Sequence, residues 1–353
     1  MQQSYDTKNY FKHISPKARE ENIVRCDIEE QTKLFDKGIS RRSFIVYSLG
    51  TIAASVFGPG IAKSAIRINQ TAGTEVNPKL GEIRLVPPLF CTAYVTPDAP
   101  GQEGQEALVA RYSLALVPQD MRKAFVQWRN RVKEINPSIV LLGYLLATEE
   151  HTVPGPGHSV LRNDARNAWS VYPGGAFATT GGKTYGGRSI YDPRKSEWRN
   201  AFLAACRATL ASYPYDGLFL DNCTIFERAH PYPVVKREMR QALQEALLEL
   251  RKEFPNILIV GNSRYNWEGL NGELNEGQPE DMESEFGAFP GHVTPRINLY
   301  QSVLRNPSDI KTVEREMVKA HSLGAFYAAA LYNDHQHILW FDAFDEVIAA
   351  YKR

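Results

Sequence analysis

The stretch YDGLFLDNCTIF, residues 215–226, runs three bulky apolar residues directly into Asp221 and Asn222. Asp and Asn side chains are costly to bury, so a core strand that ends in them either turns into solvent or presents the carboxylate to a ligand. Alternate side chains of a strand point to opposite faces, and Phe219 and Asp221 therefore share one face. If Phe219 fills the interior of a closed sheet, Asp221 points into its mouth.

Apolar runs of strand length recur along the chain, with amphipathic helical patterns between them. The predicted strands are 84–95, 111–117, 138–147, 217–222, 256–262, 281–286, 296–301 and 324–332, and the clear helices are 119–135, 196–212, 235–253 and 308–322. Buried strands that alternate with helices indicate a parallel sheet. Eight repeats predict a (β/α)8 barrel with its site at the carboxyl ends of the strands. The alternative is a doubly wound open sheet, but no glycine-rich phosphate loop follows the first strand.

Composition narrows the class of protein. The chain has 353 residues, 43% of them hydrophobic, and can bury a full core. Its 41 basic and 40 acidic residues leave a net charge of +1, and the basic residues form no stripe, so we expect no nucleic-acid partner. Beyond residue 66 no run of eighteen apolar residues occurs, which predicts a mature protein without a stable membrane span.

The N-terminal region has the pattern of an export signal. Residues 40–65, SRRSFIVYSLGTIAASVFGPGIAKSA, pair two arginines with a moderately apolar stretch and a small-x-small cleavage site, as twin-arginine signals do. We expect recognition by the twin-arginine export machinery and a periplasmic or secreted protein. A polar extension, 1–39, precedes the signal, a linker, 66–84, follows it, and the barrel occupies 85–353. The alternative is an ordinary amphipathic helix with two surface arginines.

Carboxylates, amides and aromatic side chains follow the ends of several predicted strands, as sugar recognition requires. A single Asp at a strand end equally often caps the next helix, but a second acid at strand six favours catalysis. The candidates for positioning a sugar are Tyr144, Asn222, Asn262, Trp267 and Tyr332.

The second acid is expected in the segment 271–287, which holds six acidic residues and no basic one. Clustered negative charge raises the pKa of a neighbouring carboxyl group, as a general acid requires. Glu283 and Glu285 fall on one face of the predicted sixth strand. Glu285 lies nearer the mouth and is preferred. The same run suggests a positively charged substrate, such as a partly deacetylated amino-sugar polymer.

Metal and thiol chemistry have weaker support. His335 and His337 could form a metal pair in a metal-dependent hydrolase, but no third ligand stands at a suitable spacing, so no metal is predicted. The cysteines lack CxxC spacing. Cys223 has no histidine nearby and is expected to be a small buried residue.

From Ser138 to Tyr332 the chain resembles the endo-α-1,4-polygalactosaminidase family and related glycoside-hydrolase-like barrels. The stretches that carry the resemblance are VLLGYLLATEE (140–150), YDPRKSEWRNAF (191–202), YDGLFLDNCTIFE (215–227) and GNSRYN…EDMESEFGAF (261–289). The last strand, AAALYN, lacks the acid that often precedes its tyrosine in the family.

The resemblance implies a glycoside hydrolase without a cofactor, in which Asp221 is the nucleophile and Glu285 the acid/base. We expect cleavage of a polysaccharide with retention of configuration. The alternative is a catalytically inactive barrel that binds glycans at a cell surface.

Overall fold

The structure, a computed structural model, describes residues 88–93, 104–119, 122–151, 188–224, 233–263, 265–277, 279–286, 291–332 and 338–351. Eight parallel strands follow one another around a barrel, and helices alternate with these strands along the chain. The first and last strands meet through one parallel bridge, Leu89 with Tyr327, and the Tyr327 N–H donates to the Pro88 carbonyl at 2.8 Å. The predicted (β/α)8 fold is confirmed.

The described strands are numbered in chain order. Eight of them form the barrel, and two form a separate antiparallel pair. They are β1 Phe90–Thr92, β2 Leu114–Pro118, β3 Val140–Leu146, β4 Glu149–His151, β5 Arg188–Ile190, β6 Gly217–Asp221, β7 Leu258–Asn262, β8 Gly272–Glu276, β9 Leu299–Leu304 and β10 Phe326–Leu331. The separate pair is β4 with β5.

Seven helices are described. They are α1 Gln105–Val109, α2 Lys123–Ile135, α3 Ser196–Ser212, α4 Pro233–Glu253, α5 Met282–Glu285, α6 Ile310–Ser322 and α7 Asp342–Tyr351. The four predicted helices are confirmed as α2, α3, α4 and α6. Their ends follow from local chemistry: α4 begins at a proline, whose missing N–H is not needed there, and Asp309 caps α6 by accepting from the Thr312 N–H.

Seven of the eight predicted barrel strands are confirmed, and the sixth is wrong. Residues 281–286 hold the short helix α5, whereas the sixth barrel strand is β8, Gly272–Glu276. The sequence of β8, GELNE, contains a single large apolar residue, Leu274. Its polar side chains bond to the Asn262 and Glu285 side chains and to the Trp267 backbone N–H. The strand therefore lacks the apolar run by which the other strands are recognised.

The barrel interior is filled by inward-facing apolar side chains, with Phe219 and Leu274 among them. Gly217 and Gly272 stand where adjacent strands approach closely. A Cβ at Gly217 would lie 2.0 Å from the Leu258 carbonyl oxygen, and one at Gly272 would lie 2.0 Å from that of Ile297. Glycine is therefore required at the start of β6 and of β8.

Several predictions fall on residues that are not described. The extension 1–39, the signal 40–65 and the linker 66–84 all precede residue 88, and His335 and His337 lie between 332 and 338. No helix within the described ranges is long and apolar enough to cross a bilayer.

Candidate active site

The candidate site is built around Asp221, the last residue of β6. Phe219, two residues earlier, is buried in the barrel interior against Tyr144, with ring centroids 5.7 Å apart. Strand alternation therefore directs the Asp221 side chain inward at the carboxyl end of the barrel, as the sequence predicts. The Asp221 carbonyl accepts from the Ala147 N–H at 2.9 Å, which ties the strand end to the segment after β3.

Four donors converge on the Asp221 carboxylate. Oδ1 accepts from the Asn222 backbone N–H at 2.9 Å and from Asn262 Nδ2 at 2.8 Å. Oδ2 accepts a short hydrogen bond from the Tyr144 hydroxyl and a longer one, 3.3 Å, from Asn222 Nδ2. A carboxyl group accepts from all four donors only when it is ionised, so this arrangement suits a charged carboxylate. Only one of these four donors, that of Asn222, is a backbone N–H, and the other three are side chains.

A second carboxyl group, that of Glu276 at the end of β8, faces Asp221 across one shared partner. Asn262 Nδ2 lies 3.1 Å from Glu276 Oε2 and 2.8 Å from Asp221 Oδ1. On its other side, Glu276 Oε1 lies 3.4 Å from Gln301 Nε2, and Thr92 Oγ1 donates to Gln301 Oε1 at 2.7 Å. Residues on six of the eight barrel strands thus form one belt of polar side chains inside the mouth.

The two carboxyl groups differ in their electrostatic setting. Glu276 is accessible to solvent yet surrounded by the barrel wall. Desolvation, with the nearby charge of Asp221 as the second cause, raises the pKa of Glu276 to about 7. None of the ion pairs found within the described ranges includes Asp221 or Glu276. Glu276 can therefore hold a proton near neutrality next to an ionised Asp221.

The predicted second acid, Glu285, is not in this site. It lies on α5 and accepts at 2.6 Å from Asn275, which faces the opposite side of β8 from Glu276. Burial raises the pKa of Glu273, another outward-facing side chain of β8, and the nearby charge of Glu285 raises it further. Glu283 is exposed and pairs with Lys319 at 3.6 Å. Both residues were misplaced because 281–286 forms a helix outside the barrel and not an inward-facing strand end.

The predicted sugar-positioning residues divide into two groups. Tyr144, Asn222 and Asn262 all bond Asp221, and exposed Tyr332 follows the end of β10 at the rim. Trp267 is not at the mouth: it is 4% exposed, packs in the layer outside the barrel, and donates from Nε1 to Ser263 Oγ at 2.6 Å. It was misplaced because the loop after β7 folds back onto α4.

Sequence reasoning missed three residues of the belt: Glu276, Gln301 and Thr92. Glu276 lies inside the acid-rich segment but outside the predicted sixth strand, 281–286. The spacing Gly272, Leu274, Glu276 is the available signal, since residues two apart share one strand face. Gln301 and Thr92 carry no chemical signature of their own, and only the closed barrel brings them to Glu276.

The described residues contain no group of three His, Cys, Asp or Glu side chains that could hold a metal ion. Cys91, Cys206 and Cys223 are free and buried, and burial raises the pKa of the Cys223 thiol well above its usual value. Cys223 is a small buried residue, as predicted.

Comparison with known proteins agrees with the fold. No protein-family model and no curated protein match the chain. The glycoside hydrolase domain of PelA from Pseudomonas aeruginosa has a similar structure, with a TM-score of 0.50 at 12% identity, over 70% of this chain and 96% of that domain. A variant of the same domain gives 0.51 with the same identity and coverage. The chain has a barrel of the kind found in glycoside hydrolases.

Proposed function

We propose that the protein is a glycoside hydrolase that cleaves a polysaccharide with Asp221 and Glu276. The observation that carries the proposal is the shared amide of Asn262, which holds one oxygen of each carboxyl group at the mouth of the barrel. Glycoside hydrolysis needs two such groups, one ionised and one protonated. The likeness to glycoside hydrolase domains supports the same reaction class.

In this mechanism Asp221 attacks the anomeric carbon while Glu276 donates its proton to the leaving oxygen. The bond to the leaving group breaks as the bond to Asp221 forms, which gives a covalent glycosyl-enzyme. Glu276, now ionised, then takes a proton from water as the water attacks the same carbon. Asp221 is released, and both carboxyl groups return to their starting states. A pKa of about 7 suits Glu276 to both steps.

The spacing of the carboxyl groups supports retention of configuration. Two oxygens that bond one nitrogen are separated by less than the sum of the two bond lengths, here under about 6 Å. A retaining pair needs about 5–5.5 Å, whereas inversion needs about 6.5–9.5 Å to admit a water molecule. NMR detection of the first-formed anomer distinguishes the two outcomes.

We further propose an amino-sugar polymer as substrate, in line with the resemblance to endo-α-1,4-polygalactosaminidases. Neither Asp221 nor Glu276 has a basic partner among the described ion pairs, and the two carboxyl groups share one mouth through Asn262. A cationic sugar would balance this charge. Binding should then weaken as salt rises, and full N-acetylation of the polymer should reduce affinity. Salt-independent binding of a neutral glycan would contradict the proposal.

The deciding experiment measures new reducing ends from a panel of polysaccharides. Replacing Asp221 by Asn should lower turnover about a thousandfold or more, because the attacking charge is lost. Replacing Glu276 by Gln should be comparably damaging, with partial rescue for substrates whose leaving group needs no proton. The matched control is Glu285→Gln, which removes a carboxylate outside the barrel and should leave turnover near the wild-type value.

The control variant also tests the assignment of the acid. A loss in Glu285→Gln that equals the loss in Glu276→Gln would return the role to the residue on α5. Tight binding of a glycan without turnover by any form would instead indicate an inactive glycan-binding barrel. Tyr332 is proposed as a sugar contact at the rim, and its replacement by Ala should raise KM more than it lowers kcat.

Export through the twin-arginine route to the periplasm or beyond is also proposed, from the arginine pair in 40–65. Replacement of Arg41 and Arg42 by Lys should retain the protein in the cytoplasm, because the receptor reads the guanidinium pair. Immunoblots of cell fractions measure this, and unchanged export would contradict the proposal.

A further inference from the structure

Residues 147–149, directly after β3, make three successive contacts with Asp221 and Asn222. The Ala147 N–H donates to the Asp221 carbonyl at 2.9 Å, and Thr148 Oγ1 donates to the Asn222 carbonyl at 2.6 Å. The Glu149 carboxylate accepts from Asn222 Nδ2 at 2.5 Å through Oε1. These contacts hold the backbone and the side chain of the residue that follows the nucleophile.

Asn222 has an unusual conformation. Its φ of 55° is the only left-handed value at a non-glycine residue within the described ranges. This conformation lets the Asn222 N–H bond Asp221 Oδ1, while its side chain reaches both Glu149 and Asp221. A non-glycine residue in this region costs free energy, and such strain persists where the surroundings impose it, often at functional sites.

Glu149 is itself fully buried. Burying a carboxylate costs free energy unless its charge is compensated by hydrogen bonds. A buried Glu149 is therefore expected to have a structural or functional role. The amide of Asn222 joins this side chain to the site, since Asn222 Nδ2 donates both to Glu149 Oε1 and to Asp221 Oδ2. The amide has two hydrogens, and an acceptor on one of them fixes the direction of the other.

We propose that Glu149 is a positioning residue for Asp221, acting through the side-chain amide of Asn222. With the amide held by Glu149, its second hydrogen points at Asp221 Oδ2 and fixes the orientation of the attacking carboxylate. The inference rests on the proposed function. It adds a third carboxylate whose role is to orient the nucleophile rather than to contact the sugar.

Two single variants and their combination test the relay. Glu149→Met keeps the length of the side chain but removes the acceptor, and Asn222→Gly keeps the left-handed backbone but removes the amide. Each should lower kcat about 10- to 100-fold with little change in KM, because a misdirected nucleophile affects the transition state. The double variant should lose no more than the worse single variant. Losses that multiply would overturn the relay.

Conservative and distant variants separate positioning from general damage. Glu149→Gln retains an oxygen acceptor for the amide and should recover most of the kcat lost in Glu149→Met. Glu316 is a matched control, because it is also buried and hydrogen-bonded but belongs to α6, where its side chain accepts from Tyr300 of β9 at 2.7 Å. Glu316→Met should lower the melting temperature and leave kcat unchanged. A loss of kcat there, equal to that in Glu149→Met, would overturn the assignment.

A measurement independent of turnover distinguishes failure of this inference from failure of the proposed function. Desolvation and, as the second cause, the charge of Asp221 raise the pKa of Glu276, so a displaced Asp221 should lower that pKa. Carbon NMR titration of Glu276 should detect this change in Glu149→Met and Asn222→Gly but not in Glu316→Met. If no glycan is cleaved, the proposed function fails, and this titration still decides the relay. An unmoved titration in both site variants would overturn it.

Discussion

Replacement of Asp221 by Asn should lower the pKa of Glu276 from about 7 to ~6. The substitution removes the negative charge and keeps the size of the side chain, so the desolvation of Glu276 is unchanged. The two interacting oxygens lie within about 6 Å of each other because they share Asn262 Nδ2.

The magnitude follows from the distance. At ~5 Å, two unit charges interact by about 0.8 kcal/mol in a water-like medium and about 3 kcal/mol at an effective dielectric constant of ~20. One pKa unit corresponds to about 1.4 kcal/mol, so the charge of Asp221 accounts for roughly 0.6 to 2.4 units. Desolvation is the larger cause of the shift from 4.5, which places the electrostatic part near the lower end, at about one unit.

Carbon NMR titration of the Glu276 side-chain carboxyl group measures the change, with the resonance assigned by its loss in Glu276→Gln. Asp216→Asn is a matched control, since it removes a charge five residues earlier in the chain, about 17 Å away along an extended strand. That variant should leave the Glu276 pKa at its wild-type value. A pKa near 4.5 in the wild type, or an unchanged value in Asp221→Asn, would refute the arrangement of the two carboxyl groups.

Three further predictions concern activity and stability. The value of kcat/KM should fall as pH rises through about 7, because Glu276 loses the proton it donates, and this limb should be absent in Glu276→Gln assayed with an activated leaving group. The folded state binds the Glu276 proton more tightly than the unfolded state, so the wild-type protein loses stability as pH rises from 4.5 to about 7. Urea unfolding should therefore show Glu276→Gln gaining stability relative to wild type above that pH window and not below it. Gly272→Ala should lower the free energy of unfolding by more than about 3 kcal/mol, because the new Cβ meets the Ile297 carbonyl. Gly104→Ala, in open space but with φ 77°, should lower it by about 1 kcal/mol. Equal unfolding midpoints of the two variants would contradict the close approach at Gly272.

The inward direction of Asp221 could be predicted from its own strand. LFLD contains enough apolar residues to identify a strand, and the two-residue period then places Asp221 on the same face as Phe219. The position at the carboxyl end follows from the parallel order of the barrel. Local sequence is therefore sufficient to place a candidate site residue when its strand is buried on both faces.

The same reasoning failed for Glu276 because its strand is polar. In β8, Glu273 and Asn275 face the helix layer, where Glu273 accepts from the Trp267 N–H and Asn275 donates to Glu285. These contacts join segments that are separated in sequence, so no local pattern marks the residues as buried. The opposite error occurred at α5. Its buried Met282 stands beside acidic residues, a pattern that also occurs at the end of a barrel strand.

Trp267 shows why a residue type after a strand does not define a sugar platform. The ring belongs to the buried apolar cluster that also contains side chains of α3 and α4, and its indole N–H donates to Ser263. That placement depends on how the loop after β7 packs on the helices, which periodicity does not encode. Tyr332, the residue directly after β10, is exposed at the rim.

The register of the barrel explains how acids on β6 and β8 come to face each other. Leu220 pairs with Gly261, so Asp221 and Asn262 stand at one level, whereas Asn262 pairs with Leu274 and Glu276 stands two residues higher. Adjacent strands are about 4.8 Å apart, and the backbones of β6 and β8 are therefore too far apart for direct contact. Inward-pointing side chains converge on the axis, and the side chain of the strand between them bridges the remaining gap. The stagger places Glu276 above the plane of Asp221, which is the relation needed if one group attacks the anomeric carbon while the other protonates the departing oxygen.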